Sequence, residues 1–352
     1  MPGKLNNIQG LRAYAALSVV LFHTGYIIPR LAPFGFYGVD VFFVISGFIM
    51  AGICDVRPQK FFLRRLIRIV PTYWIATVAI FILSAVAPQL LKATQPHFVE
   101  LVKSLLFIPF VKEDGLLQPL LFVGWSLNYE MYFYVVLALA LLFVKGKSAP
   151  LTAVCVLLIV PFVMLHIPDR NALVRFYSDT RPFEFILGIA AYYAARAVPI
   201  HVVRKLRWLI LTVSALIAID LIVWFTLPLP FFPVDWVGFG IPSAILVLSA
   251  ALLAKAGFDI RSKWIILLGD ASYSMYLLHP FILYFMERVL AKHWPLLSSQ
   301  YHLFGMLLGI VAVCLISCWT YLYLERPLVD WMARSLARMP SRPHAFLSEN
   351  PL

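Results

Sequence analysis

Ten apolar stretches, each close to the ~20 residues an α-helix needs to cross a bilayer, govern what this chain can fold into. They fall at about 13–29, 36–54, 69–88, 125–144, 151–167, 182–197, 208–226, 237–255, 266–287 and 301–324. Inside lipid every backbone N–H and C=O must find its partner within the protein, which leaves helices or closed barrels. Continuous apolar runs of this length select helices. Of the 352 residues 62% are hydrophobic and 13% charged. The expected fold is therefore an all-α integral membrane protein, a polytopic bundle of about ten transmembrane helices.

The net charge of +12 invites a nucleic-acid reading, but the basic residues follow the topology instead of forming one patch. With the N-terminus inside, the inner connections and both tails carry 20 of the 29 Lys and Arg residues, the split that the positive-inside rule describes. Both termini are expected to be cytoplasmic. The most basic connection, after the second stretch, holds Arg57, Lys60, Arg64, Arg65 and Arg68. Lys4 and Arg12 ahead of an apolar run resemble a signal peptide, yet a second apolar run follows almost directly, so no cleavage is expected. Cys54, Cys155, Cys314 and Cys318 all fall in or beside apolar runs, and ordinary packing is favoured over a disulfide or metal.

Ionisable residues inside apolar runs are expensive and mark function by default. Arg12 and His23 are eleven steps apart, which on a helix returns to within roughly 20° and rises about 16 Å. They share one face, and His23 lies at mid-depth, where an imidazole can take and return a proton. In the run Gly38-Val39-Asp40-VFFVI-Ser46-Gly47-Phe48, Asp40 lies toward the outer side. It is suited to orienting His23, to receiving a hydroxyl proton or to pairing with a cation. Ser46 and Gly47 read as a close helix contact. Arg64, Arg65 and Arg68 stand at the inner surface; Arg64 and Arg68 align on a helix and suit a phosphate-bearing ligand or, equally, topology and anionic lipid.

Glu130, in Gly124-WSLNYEMYFY, lies at a depth comparable with Asp40. Asp270 and His279 fall in GDASYSMYLLH at 269–279, and Glu325 closes the last run, where it is placed to pair with an inner arginine. In the long outer connection at about 89–124, Phe98, Leu101, Val102, Leu105 and Leu106 recur at helical spacing while Glu100, Lys103 and Ser104 face elsewhere. That pattern predicts an interfacial helix, either roofing an external opening or resting on the lipid. The segment Pro327-LVDWMARSLA is expected along the inner interface, with disorder beyond Pro340. No HExxH, GxSxG, P-loop or GxGxxG assembly and no compact metal-ligand set occurs, so no metal is expected.

Taken in order, Arg12-x10-His23, GVDVFFVISGF at 38–48, RRLIRIVP at 64–71, GDASYSMYLLH at 269–279 and LERP at 324–327 resemble the membrane acyltransferase-3 family. GWSLNYEMYFY at 124–134 resembles its branch that acetylates bacterial exopolysaccharides. The resemblance implies an acyltransferase-3-like transmembrane domain over 1–330, a cytoplasmic tail over 331–352 and a multi-pass protein of the bacterial inner membrane. It implies transfer of an acyl group, usually acetyl, from cytoplasmic acyl-CoA to a carbohydrate hydroxyl at the opposite face, alongside polysaccharide-synthesis or export machinery. Arg12 and His23 become the leading catalytic pair, with Asp40 and Glu130 beside them, and Arg64, Arg65 and Arg68 the contacts to the phosphates of acetyl-CoA. His23 acts either as general base or as a transient acyl acceptor. Buried ions also line transport paths, so a transporter of a lipid-linked sugar or small solute is the alternative; a non-catalytic partner of an export assembly is a third.

Overall fold

The computed structural model describes residues 5–24, 37–56, 58–87, 96–144, 146, 148–223, 236–293 and 302–338. In chain order the helices are α1 (Asn6–His23), α2 (Gly38–Val56), α3 (Phe61–Val86), α4 (Phe98–Leu105), α5 (Trp125–Phe143), α6 (Ser148–Leu165), α7 (Ala172–Tyr177), α8 (Pro182–Ala197), α9 (Ile200–Val223), α10 (Ile241–Lys255), α11 (Lys263–Asp270), α12 (Ser272–His293), α13 (His302–Thr320) and α14 (Arg326–Arg338). Single turns of other helix types at Phe122–Gly124, Trp236–Gly240 and Tyr321–Glu325 lead into α5, α10 and α14. No strand occurs among the described residues, only an isolated bridge between Val111 and Leu117.

Within the described residues every one of the ten apolar stretches overlaps a helix, and the chain is a polytopic all-α membrane bundle. Among the described residues six helical segments are long and apolar enough to cross a membrane alone, and the pair α11–α12, bent by 73°, makes a seventh if taken as one span. The described parts of the other three stretches fall short for visible reasons. Helix α8 has 16 residues, α9 carries Arg204, Lys205, Arg207 and Asp220, and α1 begins with Asn6, Asn7 and Gln9. Helix α1 has little need of lipid-facing apolarity, because Ala13, Ala15, Ala16, Val19 and Val20 are all buried.

Close backbone approach holds the centre together. A Cβ added to Gly47 would sit 2.1 Å from the Phe185 carbonyl oxygen, and one on Gly188 2.1 Å from that of Val44. Helices α2 and α8 therefore touch main chain to main chain, the contact that small residues permit in lipid. Across it the Phe185 ring lies 4.8 Å from Phe43 and 4.4 Å from Phe133 of α5. Helix α1 is tied to the α10–α11 connection by Asn7, whose Nδ2 donates to the Ala250 and Phe258 carbonyls at 3.1 and 2.7 Å and whose Oδ1 accepts from the Ile260 N–H at 2.9 Å.

The amphipathic helix expected in the long connection is α4, and it is fastened to α3. Tyr73 OH donates to the Ser104 carbonyl at 3.2 Å and Trp74 Nε1 to that of Leu105 at 2.9 Å, so the membrane helix supplies partners to the last carbonyls of α4. Ser104, expected among the outward polar residues, is buried because its Oγ accepts the Leu120 N–H at 2.8 Å. Nearby Lys112 is buried too, and burial pulls its ammonium below the ordinary lysine value while Nζ donates to the Leu120 carbonyl at 3.3 Å. Helix α14 runs straight through residue 330, the expected edge of the membrane domain, and Lys60 Nζ donates to its Leu336 carbonyl at 2.9 Å. Arg57 and the tail beyond Arg338 lie outside the described residues.

Gly47→Ala is expected to lower the melting temperature of the detergent-solubilised protein, an overpacking cost of about 1–3 kcal/mol. Gly52→Ala, whose Cβ would meet only the Tyr192 ring edge at 3.1 Å, should melt close to wild type.

Candidate active site

Helix α1 meets α12 along a polar stripe. Arg12 Nε and Nη2 donate to Ser272 Oγ at 3.2 and 3.0 Å, and further along the same face the His23 ring centroid lies 4.6 Å from that of His279. Ser272 and His279 are seven residues apart, two helical turns, so they too share a face. Each imidazole is anchored to its own helix: His23 Nδ1 lies 2.9 Å from the Val19 carbonyl oxygen and His279 Nδ1 3.2 Å from that of Met275. A carbonyl only accepts, so Nδ1 is the donor in both rings, and in the neutral form of each ring Nε2 carries the lone pair.

Beside this stripe α2, α3, α5 and α12 enclose a cavity of about 100 Å³. Its polar lining is Arg12, Arg65, Arg68, Glu130, Ser46, Ser126, Ser272, Tyr134, Tyr273 and Tyr276, with Val39, Phe42, Phe43, Ile45 and Ile49 as the apolar wall. Glu130 Oε1 accepts from Ser46 Oγ at 2.8 Å and from the Tyr134 hydroxyl. Arg68 Nη1 donates to Glu325 Oε1 at 2.5 Å, and the second Glu325 oxygen accepts from Ser274 Oγ at 2.5 Å. Tyr276 OH links to Ser126 Oγ at 2.7 Å, and the ring of this cavity-wall residue lies 6.0 Å from His279.

A family model described as an acyltransferase domain matches residues 5–322. The chain belongs to the acyltransferase-3 family. It is 33% identical over 329 residues, 88% of its length, to the exopolysaccharide production protein ExoZ of Rhizobium meliloti, 94% of which is covered. It is 26% identical over 384 residues to the O-acetyltransferase OatA of Staphylococcus aureus, covering 98% of this chain and 60% of the relative. To the peptidoglycan O-acetyltransferase OatA of Listeria monocytogenes it is 26% identical over 359 residues, covering 92% of this chain and 55% of the relative. This chain thus spans little more than half the length of the OatA proteins. No solved structure matches it.

Within this acyltransferase-3 chain the expected residues do not all converge. Arg12, Glu130, Arg65 and Arg68 line one cavity. His23 stands next to it through His279 and Tyr276. Asp40 lies on the α8 side of α2, where the fully buried Glu184 is its carboxyl neighbour; the partner that anchors the His23 ring is the Val19 carbonyl. Arg64 is exposed, away from the cavity. The pair turned inward is Arg65 and Arg68, three apart, because the face of α3 that meets the bundle passes through Ile69 and Tyr73.

Several site residues carried no obvious signal of their own. Ser46, read as a packing residue, holds Glu130, while Gly47 alone makes the close contact. Ser272 and Tyr276 fall on the helical stripe of His279 in SYSMYLLH, and that periodicity was the available clue. Glu325 pairs with Arg68 as expected, at the turn Tyr321–Glu325 whose wider helix form swings a side chain out of register.

Glu325→Ala is expected to strand Arg68 beside an apolar wall and lower stability by about 3 kcal/mol. The double variant Arg68→Ala/Glu325→Ala should lose less than the sum of the singles, measured by thermal unfolding in detergent.

Proposed function

We propose that this membrane acyltransferase moves an acetyl group from acetyl-CoA in the cytoplasm to a hydroxyl of a surface or exported bacterial carbohydrate, exopolysaccharide being the favoured acceptor. The observation that carries the reading is the 100 Å³ cavity lined by Arg12, Arg65, Arg68 and Glu130, whose wall residue Tyr276 lies 6.0 Å from His279, itself 4.6 Å from His23. Cations at one end suit the phosphates of the donor, and a narrow polar interior suits its slender pantetheine arm. Arg65 Nε is buried without a hydrogen-bond partner in the structure, a donor left for an anion. Arg12, held by Ser272, stands where a thioester carbonyl entering the cavity would need positive charge.

His23 Nε2, unprotonated in this tautomer, is the base toward the acceptor hydroxyl. The hydroxyl oxygen bonds to the acyl carbon, the carbon–sulfur bond breaks, and the proton ends on the departing thiolate. The names of the relatives support a polysaccharide acceptor, since one is an exopolysaccharide production protein and another a peptidoglycan O-acetyltransferase. The end of the bundle bearing Arg65 and Arg68 is taken as cytoplasmic from the distribution of basic residues, with both termini on that side. In a bacterium of two membranes the proposed location is the inner one, beside the machinery that makes or exports the glycan.

The test is the acetyl content of surface glycans from cells with and without the protein, together with release of thiol from acetyl-CoA by the purified protein. A transporter would consume no thioester. His23→Ala should insert at normal yield and lose transfer. Arg65→Ala should raise the KM for acetyl-CoA about tenfold, the effect of one charge-assisted hydrogen bond, while Arg64→Ala stays within about twofold because its side chain points away. Unchanged donor dependence in the Arg65 variant would leave these arginines with topology alone.

Sidedness has its own check. In a Cys155→Ser background, which removes the exposed native thiol, Arg261→Cys should react with an impermeant maleimide only from the cytoplasm and Arg170→Cys only from outside. Reversed labelling would put the arginines on the wrong side for cytoplasmic CoA.

A further inference from the structure

The base in this site is not a lone histidine. His279 is wholly buried, its Nδ1–H is spent on the Met275 carbonyl, and its Nε2 has no hydrogen-bond partner. A buried acceptor left unpaired costs about 1–3 kcal/mol, so an atom in this state within a polar stripe asks what donor visits it. The nearest candidate is His23, whose ring lies at 4.6 Å and 67° and whose own Nδ1 is committed to Val19. His279 Nε2 is therefore an acceptor without a partner beside a second imidazole, whose Nε2, once protonated, is a donor that can satisfy it.

We propose that His279 is a positioning residue that holds the proton His23 removes from the acceptor, the two imidazoles sharing it through Nε2–H···Nε2 until the thiolate takes it. This rests on the transferase reading above. The balance is that of the transfer itself. The hydroxyl O–H bond breaks as the oxygen bonds to the acyl carbon, the proton passes to His23 Nε2, and the resulting imidazolium donates to His279. The carbon–sulfur electron pair leaves with sulfur, and sulfur receives the proton, returning both rings to the neutral form.

A neutral partner fits the surroundings. Phe22 and Phe122 face His23 at 5.0 and 6.0 Å. The titratable neighbour facing His279 from its own helix is Tyr276, whose hydroxyl is engaged with Ser126 and the Val123 carbonyl. A carboxylate in this place would add a second buried charge to the resting site and hold the imidazole protonated, unfit to act as a base. A second imidazole offers a strong acceptor with no resting charge.

The test compares His279→Gln with His279→Leu in lipid nanodiscs, using acetyl-CoA and, as acceptor, polysaccharide isolated from cells lacking the protein. Gln keeps an acceptor oxygen near the position of Nε2, and Leu removes it while filling the space. His279→Leu is expected to lower kcat about 100-fold with KM for acetyl-CoA within about twofold, and His279→Gln to recover at least a tenth of the wild-type rate. A packing role predicts the opposite order, with Leu at least as active and as stable as Gln, and that order overturns the proposal. A second readout is independent of turnover: 15N-histidine-labelled protein should show a through-hydrogen-bond 15N–15N coupling between the two Nε2 atoms in part of the range from pH 5 to 8, lost in His279→Leu. Absence of that coupling throughout the range overturns the shared proton even if transfer occurs. Absence of thiol release by wild type, with the coupling present, would sink the acetyl-CoA reading and leave the pair standing.

Discussion

A guanidinium and an imidazole on one face of α1 can be kept inside an apolar bundle only if another helix answers them at matching heights, and α12 does. Ser272 meets Arg12 and His279 meets His23. The match requires the two helices to run alongside each other in the same direction, which two successive spans cannot do. It also accounts for the 73° break at the start of α12. Helix α11 has to cross the N-terminal end of α1 before α12 turns to follow it, and Gly269 makes the crossing possible by letting the main chain approach Gln9, whose carbonyl oxygen would lie 2.1 Å from any Cβ there.

The remaining helices secure that pairing from outside. Helices α2 and α8 form a rigid slab through Gly47 and Gly188, with the backbone of each filling the space a side chain would take in the other. From this slab Ser46 reaches α5 and fixes Glu130, so the carboxylate arrives at the cavity already oriented. On the far side, the buried carboxylate of Glu325 ties together α3, through Arg68, and α12, through Ser274. A buried ion pair adds little net stability because desolvation offsets the attraction. What it supplies here is position, holding Arg68 at the mouth of the cavity.

How much of this was legible in the sequence depends on whether a residue announces itself by cost. Arg12 and His23 do, since lipid penalises them wherever they sit, and the same argument reached Glu130, Arg68 and Glu325. Residues that are cheap to bury were not legible in this way. Ser46, Ser126 and Ser272 look like packing residues in an apolar run, and only the fold shows the polar atom each one meets. Asp40 was as costly as His23 and pointed to the same site, yet it lies on the opposite side of α2 with Glu184. Depth can be counted along a helix, but the direction a side chain takes around it depends on which neighbour packs there. For the same reason the helices themselves were readable from length and apolarity, while the break before α12 was not.

The basic run at the start of α3 shows how one segment can satisfy two explanations that look exclusive in sequence. Clustered arginines beside a membrane span serve topology and lipid attraction, or they bind a phosphate-bearing ligand, and spacing alone does not choose. A helix separates the two uses by angle. Arg64 points out of the bundle, where attraction to anionic lipid and orientation of the chain are its available roles. Arg65 and Arg68, one and four residues on, turn into the cavity wall. Of those two, Arg68 is neutralised by Glu325 and is therefore a weak anchor for an anion. Arg65, with its unpartnered Nε, is left as the stronger one, and it is the residue between the two that sequence spacing had paired.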